Sequence, residues 1–272
     1  MTFRCSMTLG MQRRRFAMLG LSSLSGATLF GQVPSQTLAS DTTLSAFPLH
    51  PPELAREIVT VAHFNMKRVR ELVDARPALA RAAVDWGFGD WEDALGAASH
   101  MGNREIAEYL LSKGARPSIF SAAMLGQMDV VKAFVAAQPG VQRTAGSHSI
   151  SLLSHAQAGG KQAKPVFDYL NSLGDAGERP ASRLTQDEAS RLAGVYVFGT
   201  KPDEQIEITE KASQLTFVRQ GKMARTLVYL GDYSFHPQGA EAVRIRFSGS
   251  GDAIMLTVHD PEIVLTAGRS QP

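Results

Sequence analysis

The sequence predicts a multidomain α + β protein, with paired helices in residues 53–175 followed by a small antiparallel β-barrel or sandwich in residues 185–269. In the first region apolar residues recur three and four positions apart, as on one face of a helix. Four turn residues interrupt this pattern at intervals of 37, 24 and 34 positions: Asn65, Gly102, Gly126 and Gly160. In the second region apolar and polar residues alternate, which is typical of half-buried strands.

The first 39 residues have the composition of an export signal. Residues 12–18 read Gln-Arg-Arg-Arg-Phe-Ala-Met, which resembles a twin-arginine motif. Residues 17–30 form a mildly apolar run that is too short for a stable bilayer anchor. Small residues at Thr37 and Ala39 suit a signal peptidase. We therefore expect cleavage after Ala39 and export, to the periplasm or beyond, with residues 40–52 forming a linker.

The charge and cysteine content exclude two classes of function. The net charge is +2, but the leader contributes four arginines and no acidic residue, so the remainder holds 24 basic and 26 acidic residues. A nucleic-acid partner therefore has no electrostatic support. The single cysteine, Cys5, also lies in the leader, so the mature chain can form neither a disulfide nor a thiolate metal site.

Residues 93–115 give the clearest helical hairpin. Asp93 can cap a short helix, and Gly102 can supply the left-handed turn after it. A second helix then ends at Gly114. Its apolar stripe consists of Ile106, Leu110 and Leu111. One such hairpin cannot bury both of its faces, so the pattern predicts further copies packed against it.

Three weaker copies flank this hairpin. The first spans residues 53–75, the third begins at residue 119, and the fourth spans residues 151–173, with an outer helix at 164–173 that has Pro165 in its first turn. The glycine-rich residues 85–91 precede the clear copy and predict a projecting β-finger.

The clear copy resembles one ankyrin repeat. Asp93-Ala94-Leu95-Gly96 stands where that family has Thr-Pro-Leu-His, and Ala98-Ser99 stands where it has paired small residues. The resemblance extends over residues 53–175 in about four copies. It implies an ankyrin-repeat α-solenoid whose concave face binds a protein partner.

The β-domain begins after a linker at residues 176–184. Thr185, with Glu188 three positions later, opens a short helix that runs to Leu192. Strands are predicted at residues 195–198, 206–208, 215–218, 227–230, 243–247, 254–258 and 263–266. Seven or eight short strands imply a small barrel or sandwich. The Leu-Ala-Gly-Val-Tyr start at residues 192–196 resembles the small β-domain appended to some serine β-lactamase-like hydrolases, a likeness that carries no activity.

The sequence contains no short catalytic or metal-binding motif. Ser-x-x-Lys, Gly-x-Ser-x-Gly and His-Glu-x-x-His are all absent from the mature chain, so we expect a protein that is not an enzyme, without cofactor or metal. His259 and Asp260 are neighbours on a predicted strand, so their side chains should point to opposite faces. His236 and Pro237 are expected to begin a loop.

The candidate partner-binding residues lie on the β-finger and the inner-helix rim. They are Trp86, Phe88, Trp91, Glu92, His100, His148 and His155. The chain's two tryptophans fall within this turn, and tryptophan is enriched in binding hot spots. Alternatively, the aromatic residues fold back over the end of the helix stack, and His148 and His155 form hydrogen bonds between repeats.

The expected function is a non-enzymatic, exported ankyrin-repeat protein that mediates protein–protein interaction in the cell envelope. The partner is a protein; neither nucleic acid nor a stable membrane anchor is expected. One alternative is a small-ligand site inside the β-domain, lined by inward-pointing Val197, Ile208, Phe217 and Ile245, with the helices as a dock. Another is an accessory or inhibitory domain that acts on an envelope enzyme.

Overall fold

The computed structural model describes residues 48–177, 183–261 and 263–270. The proposed leader and its cleavage point, most of the first linker and the middle of the second lie outside the described residues. Within the described part, helices and strands form one compact unit. No helix in that part is both long enough and apolar enough to cross a membrane.

Eight helices form four consecutive pairs. The pairs are α1 (Pro52–Ala62) with α2 (Met66–Ala75), α3 (Ala94–His100) with α4 (Arg104–Ser112), α5 (Ile119–Leu125) with α6 (Met128–Ala137), and α7 (Leu152–Ala158) with α8 (Gly160–Ser172). The first helices of successive pairs pack side by side. Short 3-10 turns at Pro77–Arg81, Val141–Arg143 and Ser147–Ser149 lie between pairs. A hairpin of β1 (Ala83–Asp85) and β2 (Trp91–Asp93) precedes α3, where the sequence predicts a finger.

Side-chain caps set where these helices begin. The Asp93 side chain accepts a hydrogen bond of 2.6 Å from the Gly96 N–H, as predicted. Ser118 and Ser121 form a reciprocal capping box at α5. Asn65, predicted as a turn residue like Gly102, instead has an extended φ of −125° and caps α2 by accepting from the Arg68 N–H.

The turn glycines are required where pairs approach closely. Gly102 has a φ of +71°, and a Cβ atom there would lie 2.2 Å from the carbonyl oxygen of Ala158 in the fourth pair. Helix α3 therefore contacts α7 directly as well as α5. In a linear repeat stack each unit contacts its immediate neighbours alone, so this packing departs from the predicted ankyrin-type solenoid.

The fourth pair also differs from its prediction. Helix α8 begins at Gly160 rather than at residue 164, so Pro165 lies inside the helix and not in its first turn. The extra residues lengthen α8 to 13 residues, against 9 or 10 in the other second helices. The four pairs are therefore not four copies of one geometry.

The C-terminal region is a closed eight-stranded antiparallel barrel, which resolves the choice between barrel and sandwich. Its strands are β3 (Gly194–Val197), β4 (Gln205–Lys211), β5 (Gln214–Val218), β6 (Arg225–Gly231), β7 (Ser234–Pro237), β8 (Arg244–Ser248), β9 (Met255–Asp260) and β10 (Ile263–Arg269). Strand β10 closes the barrel by pairing with both β9 and β3. Helix α9 (Gln186–Leu192), with the predicted capping box at Thr185, packs Ala189 and Leu192 into the barrel core.

The barrel interior is filled by side chains. The Phe247 ring contacts Tyr196 and Phe235 edge to face, with ring centroids 5.6 and 5.5 Å apart. Of the four residues predicted to line a ligand cavity, Ile208, Phe217 and Ile245 are buried in this core, whereas Val197 is 38% exposed. These three side chains belong to the same packed core as the aromatic rings.

One strand departs from its sequence pattern. His236 and Pro237 belong to β7, which pairs with β6 and β8, and do not begin a loop. Pro237 is the last residue of β7, a position where its missing N–H interrupts no ladder.

The close approach at Gly102 gives a matched test. Gly102→Ala should lower the free energy of unfolding by at least about 2 kcal/mol more than Gly114→Ala. Both residues have positive φ, but a Cβ at Gly114 would have no atom of the described residues within 4 Å. Urea denaturation of both variants measures the difference. Equal losses would show that strain at positive φ, and not contact with α7, fixes glycine at position 102.

Candidate metal centre

Three histidines and one glutamate meet at the hairpin. They are His63 after α1, Glu92 on β2, His100 at the end of α3, and His148 in the 3-10 turn Ser147–Ser149. One potential ligand atom from each of the four residues lies within 4.8 Å of the other three. Four separate elements therefore deliver one compact set of nitrogen and oxygen donors.

Glu92 is the centre of this group and is buried. Its Oε1 lies 2.8 Å from His100 Nε2, and its Oε2 accepts a hydrogen bond of 2.8 Å from Trp86 Nε1. The Nε2 atoms of His148 and His63 lie 3.4 and 3.6 Å from the same Oε2. The Nε2 atoms of all three histidines therefore face the carboxylate.

Neighbouring acceptors fix two of the rings. His63 Nδ1 lies 2.9 Å from the carbonyl oxygen of Val59, and His148 Nδ1 lies 2.7 Å from Asp90 Oδ2. Because both partners are acceptors, each Nδ1 carries the hydrogen, which leaves Nε2 as the atom for coordination. A carbonyl or carboxylate behind the imidazole is the usual support of a histidine metal ligand.

The electrostatics of the group match its contacts. Burial lowers the pKa of His148, but hydrogen bonds and attraction to Asp90 and Glu92 outweigh it and raise that pKa to about 9. Burial raises the pKa of Glu92. Hydrogen bonds to His100 and His148, together with the nearby histidine charges, outweigh burial and lower the pKa of Glu92 to about 2. Glu92 is therefore ionised, and in the absence of an ion His148 is the cation that balances it.

Asp90 connects this group to the barrel. Its buried carboxylate accepts hydrogen bonds from the His148 backbone N–H, from His148 Nδ1 and from the Arg225 guanidinium of β6. Gln238 Nε2 donates to the His148 carbonyl oxygen at 3.0 Å. Gly239 packs so closely that a Cβ there would lie 2.5 Å from the Asp90 carboxylate. The barrel thus holds the loop that carries His148.

His148 itself has a left-handed backbone, with φ of 59° and ψ of 25°. Such a conformation is uncommon for a residue other than glycine, and it is retained where surrounding contacts determine it. The three bonds that tie His148 to Asp90 and Gln238 are those contacts. The loop is built to place this imidazole beside Glu92.

The predicted partner-binding residues divide into two groups. Glu92, His155 and the His100 side chain are buried. Phe88 packs edge to face on Phe217 of the barrel, at 5.6 Å between centroids. Trp86 is partly buried, whereas Trp91 is 64% exposed. The aromatic turn therefore folds back in part and projects in part.

A cleft of about 340 Å³ lies beside this group. Trp91, His100, Phe120, Ser147 and His155 are among its lining residues. His155 Nδ1 lies 2.8 Å from the Ser151 carbonyl oxygen, within the fourth helix pair. Burial, with the charge of His100, lowers the pKa of His155 to about 4, so this ring is neutral and is not part of the four-residue group.

Sequence reasoning missed His63, Asp90 and Arg225. One signal was present: His63 and His100 each stand two positions before a turn residue, Asn65 or Gly102, so they lie at matching ends of the neighbouring helices α1 and α3. The expectation that the chain has no metal site rested on the absence of short motifs. A ligand set assembled from four elements contains none.

No family model matches this chain, and no curated protein matches it. The assignment to the ankyrin-repeat family is therefore wrong, as the direct contact between α3 and α7 also indicates, and so is the likeness to the β-lactamase-associated domain.

The neutral state of His155 predicts a pH dependence of stability. Its folded pKa lies below the ordinary value of about 6.5, so the unfolded chain binds the extra proton and stability falls as the pH drops from 6.5 towards 4. His155→Gln should reduce this slope by up to about 1.4 kcal/mol per pH unit. Denaturation across this range measures the slope, with exposed His259→Gln as the control. A slope unchanged in His155→Gln would contradict the neutral buried state.

Proposed function

We propose that this protein binds one divalent transition metal ion, with Zn²⁺ as the best match, through His63, Glu92, His100 and His148. The observation that carries the proposal is the convergence of their four ligand atoms within 4.8 Å. Imidazole nitrogen with one carboxylate oxygen is a donor set that suits zinc and its neighbours among the transition metals.

The ligand atoms are already close to the spacing of a tetrahedral zinc site, so metal binding requires them to move together only slightly. Zn–N and Zn–O bonds of about 2.0–2.2 Å place the ligands of a tetrahedral site roughly 3.4 Å apart. The distances from Glu92 to the three imidazoles are already 2.8, 3.4 and 3.6 Å. Binding requires the proton on His148 Nε2 to leave, since a metal ligand must be deprotonated there.

The ion's role follows from where its ligands lie. His63 belongs to the first helix pair, Glu92 and His100 to the hairpin and the second pair, and His148 to the loop that the barrel holds through Asp90. Four protein ligands fill a tetrahedral site, an arrangement typical of structural zinc. We infer that the ion fastens the helical region, the hairpin and the barrel together.

Metal content and thermal stability test this proposal. Purified chain should contain one equivalent of Zn²⁺, and free ion at a hundred times the dissociation constant should add about 2.7 kcal/mol to the free energy of unfolding. His63→Gln and His100→Gln should each weaken Zn²⁺ binding by about a hundredfold or more, measured by calorimetric titration.

His259→Gln is the matched control, because His259 is an exposed histidine on β9 that lies outside the four-residue group. It should leave both stoichiometry and affinity unchanged. A wild-type chain that neither retains Zn²⁺ nor gains stability from it would refute the metal centre and leave Glu92 as the acceptor of a hydrogen-bond network.

A second candidate function is contact with a partner protein through Trp91. The observation that favours it is the 64% exposure of this indole at the rim of the 340 Å³ cleft. The predicted export and protein partner remain compatible with this proposal, and the buried candidates take no direct part in it.

Paired tryptophan variants test this second function. Trp91→Ala should change stability by less than about 0.5 kcal/mol, whereas Trp86→Ala should cost about 3 kcal/mol, because it removes packed indole and a hydrogen bond to buried Glu92. A protein captured from envelope extract by the wild type should be lost in Trp91→Ala and kept in Phe64→Ala, since Phe64 is a comparably exposed aromatic elsewhere. Capture that survives Trp91→Ala would contradict the role of this residue.

A further inference from the structure

A second cleft, of about 260 Å³, lies between the tip of the hairpin and the barrel. Its apolar lining comes from both sides: Trp86, Phe88, Phe198, Phe217, Met223 and Leu265. Met223 is 47% exposed, so the apolar surface continues towards solvent. This cleft holds none of the four residues of the metal centre, and its barrel wall includes core residues such as Phe217 and Val258.

Cationic side chains share this apolar lining. Arg219 and Lys222 both line the cleft, and in the described part of the chain neither forms an ion pair with a carboxylate. The Arg219 guanidinium instead lies over the Phe198 ring, 5.2 Å from its centroid. Asp260 also lines the cleft, and it is not within 4.0 Å of either cation. The cleft therefore combines aromatic surface with positive charge that the described residues do not neutralise.

Arg225 adds a buried donor to this wall. The residue is 4% exposed, and its terminal nitrogens bond to Asp90, to the Gln238 carbonyl oxygen and to the Gly87 carbonyl oxygen. Within the described residues its Nε has no hydrogen-bond partner. Arg225 is therefore held by the chain itself, and the cations that this wall offers to a ligand are Arg219 and Lys222.

We propose that this cleft binds a small amphiphilic monocarboxylate, a short acyl or aryl acid. Its apolar body would pack against Trp86, Phe88 and Phe198, and its carboxylate would lie between Arg219 and Lys222. The volume is just below the usual range of about 300–1,000 Å³ for small-molecule sites, so the ligand is compact. Arginine favours such a site because its planar guanidinium matches a carboxylate and also stacks on an aromatic ring.

Trp86 provides a direct reporter of occupancy. In the Trp91→Phe variant of the full chain, Trp86 is the sole tryptophan, and it lines the cleft. With EDTA present to exclude metal effects, titration with octanoate should change its fluorescence in a saturable way. Octanol and octylamine carry an alkyl chain of similar length without the negative charge. Both should bind at least about tenfold more weakly, since they lack a charge-assisted partner for the guanidinium groups.

Charge variants separate the site from general hydrophobic binding. Arg219→Gln and exposed Lys222→Gln should each weaken octanoate binding by about fivefold at low salt, with little effect on octanol. Arg191→Gln, on the exposed side of α9 and outside the cleft, should change neither. The proposal is overturned by any of three results: octanoate gives no saturable signal, octanol binds as tightly as octanoate, or Lys222→Gln binds octanoate as the parent does. Circular dichroism of Lys222→Gln checks that this variant folds as the parent does.

Discussion

The buried carboxylate of Asp90 is the constraint on which the assembly of this protein depends. A carboxylate removed from water is stable only when donors replace the water, and these donors come from two distant segments: His148 in the helical region and Arg225 in the barrel. Removing one partner of such a pair typically costs about 3–5 kcal/mol, more than most single contacts. The helical region and the barrel are therefore joined by an interaction that neither can satisfy alone.

The same constraint determines the geometry of the metal centre. Asp90 and Glu92 lie two positions apart on either side of Trp91, so their side chains share one face of the hairpin while the Trp91 side chain points the other way. One carboxylate orients His148 through Nδ1, and the other faces its Nε2. The period of a strand thus explains why a 64% exposed indole separates two buried carboxylates.

The sequence predicted local structure well and long-range contacts poorly. Caps and turn glycines such as Asp93 and Gly102 depend on neighbouring residues, and their positions follow from short patterns. Strand β7 was missed because Ser-Phe-His-Pro has the composition of a loop and is held by pairing with β6 and β8. The metal centre was missed for a related reason: His63 and His148 are 85 positions apart, and only tertiary packing brings them to Glu92. The resemblance to a repeat family exaggerated the regularity of pairs that differ in length and in contacts.

Two residues belong to both proposed sites and therefore couple them. Trp86 donates to Glu92 through Nε1, and Trp86 also lines the acid cleft. Arg225 binds Asp90 through Nη1, and Arg225 lines the same cleft. A metal ion that draws Glu92 and His148 together acts directly on Glu92, the partner of Trp86. Through His148 it also acts on Asp90, the partner of Arg225. If the metal ion changes the affinity of the protein for the carboxylate ligand by some factor, thermodynamic linkage requires that the ligand change the affinity for the metal ion by the same factor. A metal-bound Glu92 would hold the Trp86 ring in place and so order one wall of the cleft before the ligand arrives. The metal ion should therefore increase the affinity for the ligand.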